Sequence, residues 1–161
     1  MNKIYLGGGC FWGLEELFSN LEGITKTRVG YCGGQNKNPT YQNHPGHAET
    51  VEIVYDPKII SYADILDYFF RIHDPTTINR QGNDLGSSYR SVIFYRDLKD
   101  FQVAKSIIQK IDNTHFWKDK IVTKLEKFDT FYPAEEYHQK YLKKHPGGYT
   151  CHFIRSDQKL I

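Results

Sequence analysis

The chain has 161 residues, enough for one domain with a buried apolar core of its own and no need of disulfide or metal staples. Its 21 basic and 19 acidic residues leave a formal charge of +2, too even to point to nucleic acid or an anionic membrane as the main partner. Aromatic residues make up 15%, with twelve tyrosines, which is more than core filling needs, so some are expected to line a pocket.

In chain order, "KIYLGG" reads as a short strand entering a glycine turn. From Cys10 onward, Phe11, Leu14, Phe18 and Leu21 recur at helical spacing and Gly23 supplies a stop. "ITKTRVGY" is strand-like, and "CGGQNKNPTYQNHPGH" is turn chemistry throughout. "ETVEIVY" alternates Val51, Ile53 and Tyr55 with polar neighbours, which predicts a half-buried strand ended by Asp56-Pro57. Ser61 and Asp64 have the spacing of a capping box, opening a helix that carries Ile65, Phe69 and Ile72. Residues 74–89 form a second long loop, and "RSVIFYR" a buried strand. Phe101, Ala104, Ile108 and Ile111 mark another helix, "KIVTKLEKF" another strand, and "AEEYHQKYLKK" a last short helix.

The first six elements run strand–helix–strand–strand–helix–strand, the order of the ferredoxin-like split-βαβ fold. The expected class is α+β: a mixed sheet with helices packed on it, two long loops and an irregular C-terminal segment. No repeat or linker divides the chain, so residues 1–161 are expected to form one catalytic domain. The lysine-rich tract around residues 105–127 is interspersed with acids and reads as a solvated face. No apolar run approaches the roughly 20 residues of a membrane span. "MNKIYLGGG" also lacks the apolar stretch of a signal peptide, which predicts a cytosolic, cytoplasmic chain beginning near Met1.

Three cysteines, Cys10, Cys32 and Cys151, are too few, and odd in number, for a secreted disulfide framework. In a reducing compartment they are buried thiols, metal ligands, or redox and nucleophilic cysteines. Cys10 in "GGGCFWG" stands out because glycines deliver it and two large aromatics follow it. A cysteine in the first turn of a helix faces free N–H groups and the positive end of the helix dipole, and its pKa is expected to fall. Phe11 and Trp12, adjacent on a helix, cannot both face the core, so one is free to wall the space around the thiol. Glu49 opens a strand after "HPGHA"; an aromatic neighbourhood would desolvate it and keep it a neutral acid near pH 7. Tyr41 and Tyr89 sit in the two long loops, where a phenol can donate to a ligand oxygen. His44 and His47 are three apart, but no cysteine pair has matching ligand spacing, so no metal site is expected. The glycine run lacks the lysine and the spacing of a phosphate loop.

"GCFWG" is similar to the active-site signature of the peptide methionine sulfoxide reductases of the A type. The resemblance extends through "VGYCGG", "NPTY", "GHAE", "VYDP", "HDPTT", "QGND" followed by "GSSYRS", "YPAEEYHQKYL" and "GGY", nearly the whole chain. It implies thiol-dependent reduction of methionine-S-sulfoxide, free or in proteins, and with it repair of oxidised proteins; no cofactor is expected, and a monomer is the default. By position, Cys10 matches the nucleophile, Glu49 the acid that protonates the sulfoxide oxygen, and Tyr41 and Tyr89 the phenols that hold that oxygen. Phe11 and Trp12 match the methyl pocket, and Asp84, His138 and Tyr141 match positions around the substrate's main chain. The resemblance also implies a resolving cysteine in a mobile C-terminal segment, about 145–161. Cys151 matches that region and would give a Cys10–Cys151 disulfide recycled by thioredoxin. Cys32 reads as a buried small hydrophobe.

Two features depart from the family pattern. Only "QNHPGH" and Ala48 separate Tyr41 from Glu49, fewer residues than in many relatives, and the tail offers one cysteine where some members carry two. Two other readings compete. One is a cysteine hydrolase or transferase using His47 or His138 as base. The other is a zinc-stabilised interaction domain built on Cys32, His44 and His47.

Overall fold

The computed structural model describes residues 1–161. In chain order the elements are β1 (Asn2–Gly7), α1 (Phe11–Ser19), β2 (Ile24–Cys32), β3 (Ala48–Tyr55), α2 (Tyr62–Ile72), β4 (Arg80–Gln81) and β5 (Asp84–Leu85). There follow β6 (Val92–Tyr95), α3 (Leu98–Thr114), β7 (Lys124–Lys127), β8 (Phe131–Pro133) and α4 (Tyr141–Lys144), with single 3-10 turns at Ser87–Tyr89 and Glu136–His138. The main sheet has the order β7-β6-β1-β3-β2-β8. Its middle four strands, β6-β1-β3-β2, are antiparallel neighbours in the split-βαβ arrangement. β7 is added in parallel to β6, and β8 is added antiparallel to β2.

Alternation along each strand divides the side chains between two faces. Ile4, Leu6, Val29, Tyr31, Val51, Ile53 and Ile93 face the helices and pack with Phe11, Leu14, Phe18, Ile65, Phe69 and Ala104 in the main core. Tyr5, Cys32, Ala48, Val92 and Phe94 point the other way into a smaller cluster, against which Phe128 and Phe131 pack. α2 begins with the predicted capping box: the Asp64 amide donates to Ser61 Oγ at 3.0 Å, and the Ser61 amide returns a bond to Asp64. No helix is long and apolar enough to cross a membrane.

Three expectations need correction. β3 is buried on both faces and not half-buried: it lies between β1 and β2, with helices over one face and the Phe128–Phe131 segment over the other. The helix expected over "AEEYHQKYLKK" is broken in two. Gln139 spends its side-chain amide on the backbone N–H and C=O of Val29, at 2.9 Å each, and Lys140 turns left-handed at φ 54°. Side-chain bonds to a neighbouring strand here outcompete the helical ladder. β8, unexpected from sequence, is a three-residue edge strand ending in proline, where a missing N–H costs little.

Residues 145–161 have no regular structure beyond single turns and run back across the helices. His152 donates from Nε2 to the Gly8 carbonyl at 2.6 Å, and the Arg155 amide donates to Arg71 O at 2.9 Å. The Leu160 and Ile161 amides both reach the Asp67 carboxylate.

Candidate active site

The split-βαβ order places the end of β1, the start of α1 and the start of β3 side by side. Gly9, at φ +93°, turns the chain where a Cβ would sit 2.6 Å from Gln81 Cγ. Cys10 is the N-cap of α1 and is 8% exposed. Its thiol pKa is pushed up by burial and by the Glu49 carboxylate, against a smaller downward pull from the Trp12 amide. This corrects the expected lowering. One helix N-terminus does not offset removal from water beside an acid.

Glu49, 1% exposed at the start of β3, accepts the Phe11 amide on Oε1 at 3.0 Å. Burial raises its pKa to about 8, with the Phe11 bond opposing and Asp84 adding. At neutral pH, Cys10 and Glu49 are therefore a thiol and a carboxylic acid side by side.

Phe11 and Trp12 diverge as their spacing requires. Phe11 is fully buried between Tyr31 and His138, with ring centroids 5.8 and 5.1 Å away. Trp12 is half-buried on the rim, stacked flat on Tyr141 at 3.7 Å, and its Nε1 donates to His138 Nδ1 at 3.0 Å. That bond puts the histidine's own proton on Nε2, a buried donor that has no partner. Tyr41 is held through its amide by Glu135 at 3.0 Å. Its ring lies 4.8 Å from that of His138. Tyr89 ends the 3-10 turn after Gly86. Burial, then the Glu49 charge, pushes both phenols up, so each stays a protonated donor.

Asp84 lies in the β4–β5 hairpin and accepts the Tyr149 hydroxyl at 3.0 Å. Cys151 Sγ is 4.0 Å from the same carboxylate, and its charge reaches Cys10. The structure thus gathers Cys10, Phe11, Trp12, Tyr41, Glu49, Asp84, Tyr89, His138, Tyr141 and Cys151 at one end of the sheet. Cys32 is not among them: it points from β2 into the cluster on the opposite face.

Sequence reasoning missed the residues that hold this end together. Glu15, 2% exposed, accepts the Lys140 amide at 2.8 Å and the Thr27 hydroxyl at 2.8 Å. It thereby fixes the segment that carries His138 and Tyr141. His44 donates from Nδ1 to Thr40 O at 2.9 Å and meets Ser88 Oγ at 2.8 Å through Nε2, so the short loop is closed by one ring beside both Tyr41 and Tyr89. These partners are distant in sequence, and nothing local announces them.

The same bonds decide between chemistries. His47 spends both nitrogens on the Gly34 amide and the Asn36 carbonyl, and His138 presents no free lone pair, so neither can act as base to Cys10. No three His, Cys, Asp or Glu side chains converge as a ligand set would. A surface cavity of about 610 Å³, lined by Lys3, Tyr55, Arg96 and Asp100, opens at the far end of β1 and contains none of the site. What remains to a buried thiol with a neutral acid beside it and a second thiol nearby is redox chemistry, which places the chain among the cysteine oxidoreductases.

The chain belongs to the peptide methionine sulfoxide reductase family, whose sequence profile matches residues 2–160. It is 54% identical over 158 residues to the peptide methionine sulfoxide reductase MsrA of Mycolicibacterium gilvum, covering 98% of this chain and 94% of that one. Among solved structures, Mxr1 from Saccharomyces cerevisiae in reduced form superposes with a TM-score of 0.90 at 38% identity, over 96% of this chain and 92% of that one. Mxr1 in complex with Trx2 matches with a TM-score of 0.67 at 29% identity, over 96% and 90%.

Proposed function

We propose that this chain reduces methionine-S-sulfoxide, free or in proteins, with Cys10 as nucleophile and Glu49 as acid. The observation that carries the reading is the Cys10–Glu49 pair, both protonated at neutral pH and joined through the Phe11 amide. Sulfoxide oxygen is a poor leaving group until protonated. Glu49 gives its proton to that oxygen as Sγ of Cys10 attacks the sulfur, and the thiol proton passes to the carboxylate. The substrate S–O bond then breaks and the oxygen passes to Sγ as the new Sγ–S bond opens, releasing methionine and leaving Cys10 as a sulfenic acid. The thiol needs no low resting pKa, because its proton leaves only when substrate takes one from Glu49.

Phe11 and Trp12 wall the S-methyl pocket, and the phenols of Tyr41 and Tyr89 donate to the oxygen. With methyl pocket and oxygen donors fixed, only one epimer turns its sulfur to Cys10 while the rest of the substrate points out of the site. Asp84, Tyr141 and the unpartnered Nε2–H of His138 face the substrate's main chain.

Cys151 then displaces the sulfenic hydroxyl as water, forming a Cys10–Cys151 disulfide. A thioredoxin dithiol reduces it; the Mxr1 relative in complex with Trx2 supports this partner. Residues 1–161 act as one cytoplasmic domain whose segment from about 145 presents Cys151 to Cys10.

The test mixes reduced protein with each sulfoxide epimer without reductant, then counts methionine and maps cysteine states. About one methionine per chain from the S epimer alone, with Cys10 joined to Cys151, is expected. No methionine from either epimer would refute the assignment.

A further inference from the structure

Cys151 is followed by a histidine buried to 6% exposure beneath the tail. His152 is tied on three sides. Its Nε2 lies 2.6 Å from the Gly8 carbonyl, its amide donates to Thr150 Oγ1 at 3.1 Å, and its ring rests on the bare Cα of Gly13. A carbonyl can only accept, so Nε2 carries the proton and Nδ1 has a free lone pair. Nδ1 lies 3.8 Å from Cys151 Sγ, whose thiol also reaches Asp84 Oδ2 at 4.0 Å. An anchor needs one donor toward Gly8, and a base aimed at the thiol is surplus to anchoring.

We propose that His152 is the proton-transfer residue of the second half-reaction, a role resting on the reductase reading with Cys151 as resolving thiol. Nδ1 takes the Cys151 proton as Sγ attacks Sγ of the Cys10 sulfenic acid. The S–S bond forms, the S–O bond breaks, and the same proton leaves with the hydroxide as water. No outside acid, base or oxidant enters. The Gly8 carbonyl, two residues before Cys10, orients the ring and steadies the transient imidazolium.

Other groups act on the same thiol. Burial, then Asp84 with its Oδ2 4.0 Å from Sγ, pushes the Cys151 thiol up, against smaller opposing pulls from the Tyr149 hydroxyl, its own backbone and Arg155. Cys10 lies within electrostatic reach of the same thiol, and His73 within reach of the His152 ring. Burial holds His152 itself down to about 4, with Arg155 adding, so the ring is neutral across the working range.

The experiment follows a single turnover of full-length protein with methionine-S-sulfoxide, without reductant, from pH 6 to 9. It measures methionine, Cys10 sulfenic acid trapped by a 1,3-diketone, and disulfide. In H152Q the amide still donates to Gly8 O but offers no base. Methionine should form and sulfenic acid accumulate, with disulfide formation at pH 7 slowed on the order of 100-fold. That rate should climb about tenfold per pH unit toward the wild type, as Cys151 ionises unaided. Slowing by one factor at every pH would reduce His152 to an anchor and overturn the proposal, as would disulfide formation at the wild-type rate. If H152Q does not fold, the wild type decides: a disulfide rate flat between pH 6 and 8 supports the shuttle, and one rising tenfold per unit overturns it. A Cys10–Cys32 bond would overturn it through its premise. Absence of methionine in the wild type would be the separate failure of the reductase reading.

Discussion

Glu49 shows how one side chain can be costly to the fold and necessary to the chemistry. In the unfolded chain a glutamate ionises near 4.5, whereas here burial holds the proton up to about 8. Between those values the folded protein keeps a proton that the unfolded chain has released, so stability falls as pH rises through the window. It is full below about 4.5 and levels off above about 8, and the shift corresponds to roughly 5 kcal/mol. E49Q keeps the acceptor for the Phe11 amide and removes the titration. Its melting temperature should exceed the wild type's more at pH 9 than at pH 4, by calorimetry at both. Activity should move oppositely. Wild-type kcat/KM should decline as pH passes about 8 and the acid is lost, and E49Q should lose on the order of 10²–10⁴-fold at pH 7. A variant that stayed active would move the acid to another group, Tyr41 or Tyr89 first.

The segment between β8 and α4 is where sequence and structure part. Its residues favour helix, and the periodicity of "AEEYHQKYLKK" is helical, yet Gln139 pairs with the Val29 backbone and Lys140 turns left-handed to meet Glu15. Local pattern sufficed for α2, whose capping box and apolar stripe lie within one stretch of chain. It sufficed for the split-βαβ order and for the helix that starts after Cys10, whose glycines and aromatics are its neighbours. It could not suffice for β3, buried on both faces by elements far along the chain, or for Glu15, whose partners are Thr27 and Lys140. E15A would leave the Lys140 amide and the Thr27 hydroxyl without their acceptor and cut the Lys140 ion pair. A loss of about 2–3 kcal/mol follows, read as a fall of roughly 5–10 °C in melting temperature. KM should rise as well, because His138 and Tyr141 lose their register against Trp12. Ser61→Ala is the contrast: it removes the α2 cap for about 1 kcal/mol and should leave KM alone. Equal effects of the two variants on KM would mean that the broken segment does not position substrate.

At the scale of the molecule, the tail is held at two places of different kinds. Far from the site, Arg71 is paired with Asp67 at 3.0 Å and donates to Ser156 O, and Asp67 takes the last two amides. Near the site, the tail lies directly on α1, and the contact exists only because residue 13 is glycine. An alanine Cβ there would fall 2.3 Å from Thr150 Oγ1 and 2.5 Å from His152 Nδ1. Within a helix, glycine to alanine ordinarily gains about 1 kcal/mol. Here the added methyl should lift residues 149–153 off α1 while the Arg71–Asp67 clamp holds the end of the chain. G13A should therefore become more sensitive to cleavage after Tyr149 and Phe153. It should still yield methionine in a first turnover, since the bond from the Phe11 amide to Glu49 does not involve the tail, and it should form the Cys10–Cys151 disulfide more slowly. Timed chymotrypsin digestion alongside a quenched single turnover measures both. Disulfide formation as fast as in the wild type, with the tail demonstrably loosened, would mean that Cys151 reaches Cys10 from an undocked ensemble and that the seat on α1 serves stability alone.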